Sequence, residues 1–223
     1  MNRYHHIPRI LFILIALAPW QPSFAQSTPL AAPNATEYHD PASGVSFLYP
    51  KTFTLVKNEP YMFAPAITAS NPSPQTSLRA LLVAKSLPGV SNWPVTDFAG
   101  VEFAYDARPA DSDDACRAMV QNVASTVNAI DRKTIAGVAY WHRKTGDGGM
   151  SHYTADDIYA TFSQAARSCL LFDLAIHSTL APGSLNGSNN AIKPRALSPH
   201  ETATIRKSLM HIMTSVRISA PRQ

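Results

Sequence analysis

Val45, Phe47 and Tyr49 are interleaved with Ser46 and Leu48 and the run stops at Pro50, the period of a strand with one buried face. Phe53 and Leu55 resume the alternation toward Lys57, and these two runs are expected to pair as a hairpin. Residues 60–75 then carry four prolines, Pro60, Pro65, Pro72 and Pro74, and form a long connection. Residues 78–87 are mostly apolar, as in a strand covered on both faces. Val101, Phe103 and Tyr105 alternate with Glu102 and Ala104, which favours a strand over residues 98–105.

The period changes after Asp111-Ser112-Asp113-Asp114. These residues supply capping oxygens and negative charge, and Cys116, Met119, Val120, Val123 and Val127 follow at helical spacing, predicting an amphipathic helix over 113–128. Residues 134–143 and 158–162 have strand character, with Gly146-Asp147-Gly148-Gly149 as the turn between them. Leu170, Phe172, Leu174 and Ile176 alternate along a third strand. Residues 181–197, rich in Gly, Asn, Ser and Pro, form an exposed excursion. Ser198-Pro199-His200-Glu201 is a capping box with proline at the first helical position, and Ile205, Leu209, Ile212, Met213 and Val216 form the apolar stripe of a last helix. Strands that outnumber one-faced helices imply an α+β domain, a mostly antiparallel sheet with helices packed on it.

The first residues do not belong to that pattern. Arg3 and Arg9 precede the apolar run of residues 10–18, and Ser23-Phe24-Ala25 places small residues at a cleavage site, so residues 1–25 are expected to be a secretory signal peptide. The run is too short to span a bilayer, which takes about 20 helical residues. Residues 26–37 lack periodicity and are expected to be a flexible leader, with one domain over residues 38–219. The expected location is periplasmic or secreted, with no membrane span after cleavage.

The net charge of +4 falls to +2 without Arg3 and Arg9, and the basic residues are scattered, which argues against a nucleic-acid partner. Arg206-Lys207 on the last helix has the character of a solvated face. Two cysteines in an exported chain suggest a disulfide between Cys116 and Cys169, against the alternative of two separate buried thiols.

The segment Tyr38-His39-Asp40-Pro41-Ala42-Ser43-Gly44-Val45-Ser46-Phe47-Leu48-Tyr49-Pro50 resembles the start of the PsbP-like domain, where an aromatic and an acidic residue precede Gly-Phe-Ser-Phe-x-Tyr-Pro. Val45 departs from it by replacing the first Phe. Thr134-Ile135-Ala136-Gly137 before a long hairpin, and the last helix running into Ser215-Val216-Arg217-Ile218, are also similar to that family. The resemblance implies a PsbP-like α/β/α sandwich used for protein binding and assembly, with no catalytic residues to carry over and an unknown protein partner in the cell envelope.

Candidate chemistry is sparse. No Gly-x-Ser-x-Gly elbow occurs. Asp111–Asp114 resemble a calcium loop, but Cys116 and Asn122 stand where Gly and Glu are needed. Asp156 and Asp157 are strand neighbours and point to opposite faces. If the turn centres on Asp147 and Gly148, facing residue numbers sum to about 294, setting His142 opposite His152. A hairpin through residues 164–167 sets His177 near Thr154, so His142, His152 and His177 are candidate ligands of zinc or copper, against cross-strand packing. No residue is assigned a catalytic, cofactor-binding or metal role. The expected function is a non-catalytic exported binding or assembly module, with a small hydrolase or metal-dependent enzyme using these histidines as the alternative. Tyr61, Met62 and Phe63 are the candidate partner contact, against tucking back into the core.

Overall fold

The computed structural model describes residues 34–56, 65–69, 78–88, 90, 96–123, 129–149, 152–179 and 194–221. The signal segment, the Tyr61-Met62-Phe63 cluster and most of the 181–197 excursion lie outside the described residues.

Among the described residues, ten strands and three helices follow in the order β1 (Ala35–Asp40), β2 (Val45–Pro50), β3 (Thr54–Leu55), α1 (Ala66–Ala69), β4 (Ala80–Ala84), β5 (Phe98–Pro109), α2 (Asp113–Asn122), β6 (Asp131–Ile135), β7 (Val138–Gly149), β8 (His152–Ser163), β9 (Ser168–Thr179), α3 (Pro199–Ser215) and β10 (Arg217–Ile218). A seven-stranded sheet has the order β3-β4-β5-β9-β8-β7-β6, and a three-stranded sheet the order β1-β2-β10. Every named strand pair is antiparallel, which makes the protein α+β.

The alternation seen in the sequence divides the large sheet into two cores. Val101, Phe103 and Tyr105 of β5 and Leu170, Phe172, Leu174 and Ile176 of β9 share one core with Val45 and Phe47 of β2 and Ile205, Leu209 and Ile212 of α3. Tyr105 stacks on Phe172 at 5.2 Å, and Phe47 meets Phe103 edge-on at 5.1 Å. Each fully buried ring contributes roughly 1.5–3 kcal/mol of burial, so this aromatic group anchors the small sheet on the large one. On the other face Leu81, Ala104, Ile158, Ala160 and Leu171 meet Cys116, Val120 and Val123 of α2.

Both capped helices start where the sequence places them. Ser112 Oγ accepts from Ala115 N at 3.2 Å, and Ser198 and Glu201 form the reciprocal capping box. Cys116 and Cys169, both fully buried, are joined by a disulfide that ties α2 to β9 across 5.2 Å between Cα atoms.

Four expectations change. The hairpin of residues 45–49 with 53–57 does not form, because β1 and β10 occupy both edges of β2. Pro50 instead starts a turn in which Phe53 N donates to its carbonyl at 3.0 Å, and β3 joins β4 in the other sheet. The first strand begins at Ala35 and so takes in residues of the expected leader. Residues 134–143 are not one strand: Ala136 and Gly137, at φ 49° and 85°, make the tight turn between β6 and β7. Finally, β7 runs on through the glycine cluster to pair Gly149 with His152. The glycines serve close approach here, since a Cβ on Gly146 would lie 2.9 Å from the Thr154 carbonyl and 3.0 Å from the Tyr153 hydroxyl.

Candidate functional site

Moving the β7–β8 turn beyond Gly149 shifts the register, and the shift decides which histidines meet. His142 faces Tyr159, not His152, and stacks on its ring at 4.6 Å. The expected trio of His142, His152 and His177 is therefore broken. Among the described residues, no group of three or more His, Cys, Asp or Glu is arranged to hold a metal ion.

His142 instead lies at the base of a pocket of about 490 Å³ between α3 and the strands at the β6 end of the sheet. α3 packs on β9 and β2, and beside it alternate residues of β6, β7 and β8 line the gap. Asp131 sits directly across from His142, and Lys144 across from Asp157. Asp131 Oδ1 is 2.7 Å from His142 Nδ1, and Asp157 Oδ1 is 3.1 Å from Nε2. Lys133 Nζ pairs with Asp131 Oδ2 at 2.7 Å, and Arg206 Nε stands 3.1 Å from Asp157 Oδ2. The apolar part of the lining is Leu174, which pairs with Asp157 across β8 and β9, together with Leu209 and Met210 of α3.

Both carboxylates are held ionised. The Lys133 ammonium, with His142 adding to it, keeps the Asp131 carboxyl below the usual range. Burial pushes Asp157 up, but the hydrogen bond from His142 and the charges of Arg206 and Lys144 outweigh it and leave its carboxyl lowered.

A second polar group lies on the other face of the sheet, around Ala175. Glu102 and Asp156 flank Ala175 on the neighbouring strands, while Asp173 and His177 stand two residues to either side along β9. All four are buried. His152 and His177 stack at 5.3 Å, and Thr154 Oγ1 bridges them at 2.7 and 3.2 Å. The expected approach of His177 to Thr154 and His152 is thus present, as is the division of Asp156 and Asp157 between faces. His177 Nε2 is 3.3 Å from Glu102 Oε2, off the hydrogen-bond line. Burial raises Asp156 to about 7 and Asp173 well above the carboxylate range, with Asp156 adding to the latter. Burial, then His177, lowers His152. Asp173 also accepts from Ile67 N at 3.4 Å, which seats α1 on the sheet.

Sequence inspection missed most of the pocket. Arg206, assigned to a solvated face, turns toward Asp157. The available signal was the two-residue spacing of Asp131 with Lys133 and His142 with Lys144 on adjoining strands. The Ala136-Gly137 turn, which folds residues 131–135 back onto 138–142, is what brings the two spacings side by side.

No protein-family model and no curated protein matches the chain. Solved structures do. The solution structure of cyanobacterial PsbP from Synechocystis sp. PCC 6803 is similar at 13% identity and TM-score 0.42, covering 88% of this chain and 99% of that one. The structure of LpqN, involved in cell envelope biogenesis of Mycobacterium tuberculosis, is similar at 12% identity and TM-score 0.41, over 83% of this chain and 91% of that one. A Bacteroides thetaiotaomicron structure is similar at 9% identity and TM-score 0.40, over 83% of this chain and 49% of that one. A PsbP, the family that residues 38–50 resemble, is thus among the similar structures.

Proposed function

We propose that the protein is an exported, non-catalytic binding module whose ligand sits in the pocket beside α3. The observation that carries this reading is the tethering of His142. Both ring nitrogens are engaged by carboxylates, at 2.7 and 3.1 Å, so neither is directed at a substrate as a general base or a metal ligand requires. What remains is a cleft of ligand size whose lining mixes Leu174, Leu209 and Met210 with a few convergent polar groups, the usual form of a small-molecule site. Export is supported by the charged and apolar pattern of residues 1–25 and by the buried Cys116–Cys169 disulfide, which persists in oxidising compartments.

The test is retention of a compound from the protein's own envelope extract, identified by mass spectrometry after washing and denaturation, then returned pure. A compound that binds and is recovered unchanged supports the reading. Conversion to a product refutes the non-catalytic part, and an empty pocket after exposure to the extract refutes the binding part.

A further inference from the structure

His142 joins the polar groups of the pocket. Asp131 Oδ1 stands 2.7 Å from its Nδ1 and Asp157 Oδ1 3.1 Å from its Nε2, and the stack on Tyr159 fixes the ring between them. Ionised carboxylates only accept, so both contacts are hydrogen bonds only when both ring nitrogens carry protons. A neutral ring against a protonated acid does not fit. Asp131 is held low, first by Lys133, and Asp157 is brought low against its burial by His142, Arg206 and Lys144.

The two acids are not equivalent. The Asp157 side chain is 8% exposed, whereas that of Asp131 is 49% exposed and also pairs with Lys133. A neutral imidazole has one N–H and one lone pair. Depriving a buried carboxylate of its donor costs more than depriving one that water reaches, so the remaining proton stays on Nε2, toward Asp157. The Nδ1 lone pair then faces Asp131 Oδ1, and a hydrogen bond becomes a repulsion. Asp131 begins β6, the edge strand of the large sheet, and of the five β6 residues only Ile135 is buried. Little burial holds this side of the cleft in place.

We infer that His142 is a proton-operated latch of the pocket: its doubly protonated ring ties Asp131 of β6 to Asp157 of β8, and loss of the Nδ1 proton frees Asp131 and opens the β6 side of the cleft. The latch regulates the site of the binding reading above and rests on that reading for its purpose. The titratable and charged groups around the ring are Asp131 and Lys133 on β6, Lys144 on β7, Asp157 and Tyr159 on β8, and Arg206 on α3. Burial pushes Tyr159 up to about 12, and the two acids are held low, so these three keep their charge state where histidines titrate. The cleft is closed on the acidic side of the His142 titration and open on the alkaline side.

The test is NMR of the purified protein, with no compound added, from about pH 5 to pH 9. It follows the His142 ring nitrogens, the exchange of β6 amides relative to those of β5, and the broadening of the Met210 methyl resonance by a neutral soluble nitroxide. Both nitrogens are expected to carry protons at the acid end, with Nδ1 deprotonating as pH rises. At the same midpoint β6 exchange should rise about threefold or more, and Met210 broadening should grow. Asp131→Asn can donate its amide to the neutral ring, and should lower the midpoint by about one pH unit and remove the step in β6 exchange. If that variant melts early, the coincidence of midpoints in the parent decides. A ring with only one proton at the acid end, a His142 titration that leaves β6 and Met210 unchanged, or an unmoved midpoint in Asp131→Asn overturns the latch. Compound retention tests the binding reading separately, so either can fail while the other stands.

Discussion

Replacing Asp156 by Asn removes a buried carboxyl while nearly keeping its shape, and the pH dependence of stability should change with it. The groups facing Asp156 are Glu102 on β5, Asp173 and His177 on β9, and Asp147 farther along the hairpin, with Asp157 its neighbour on the opposite face. Burial comes first in raising its carboxyl from 3.8 to about 7, and Glu102 adds to this while His177 works against it. Between those values the folded state keeps a proton that the unfolded chain has released. Stability therefore falls as pH rises through the window from about 4 to about 7, and the contribution is fully present only below the unfolded value. A shift of about three pH units at ~1.4 kcal/mol each corresponds to at most about 4 kcal/mol. His152 acts in the opposite sense: lowered by burial and by His177, it stays neutral in the fold and costs stability as pH drops below the usual histidine range. The comparison of variant with parent isolates Asp156 from that effect. Urea unfolding at pH 4.5, 6 and 8 should show Asp156→Asn gaining steadily on the parent, by a few kcal/mol at pH 8. Parallel pH profiles for the two proteins would refute the argument.

Two further outcomes follow from the fold. Replacing Cys116 and Cys169 by Ala opens a cross-link of 53 residues, which costs about 4 kcal/mol in the chain-entropy model; denaturant unfolding checks it, and a loss under about 1 kcal/mol, or two free thiols in the oxidised parent, would contradict it. Gly44 has φ 72°, and a Cβ there would collide with the Ser219 carbonyl carbon at 2.9 Å, so Gly44→Ala should lose roughly 1–3 kcal/mol and release β10 from β2, visible as faster amide exchange at Ser219.

Local patterns were legible wherever one chemical period ran unbroken. The alternation in β2, β5 and β9 and the capping residues of α2 and α3 placed these elements, because side-chain period and cap chemistry act over a few residues. The cysteine pairing was legible in part: a buried helix position and a buried strand position suggested a bridge, and the fold, by laying α2 on β9, decided it against two separate thiols. Partner choice between strands was not. Whether β2 takes β1 and β10 or β3 depends on which edges remain open, and that is decided by elements far apart in the chain.

The site shows the same division. The sequence alone determined that Asp156 and Asp157 separate to two faces and that His177 comes near Thr154, both consequences of the two-residue period and a short turn. It did not determine that His142 leaves the other histidines. That followed from the ladder running through the glycine run to Gly149, which shifts every facing pair on β7 and β8 and lays Tyr153 near Gly146. Only the tertiary structure brought Arg206 over Asp157, because a helix 49 residues further along the chain was free to lie on either part of the sheet until its apolar stripe met β9 and β2. Short-range sterics and hydrogen bonding are written in neighbouring residues, whereas burial of one face against another is settled by the whole chain at once.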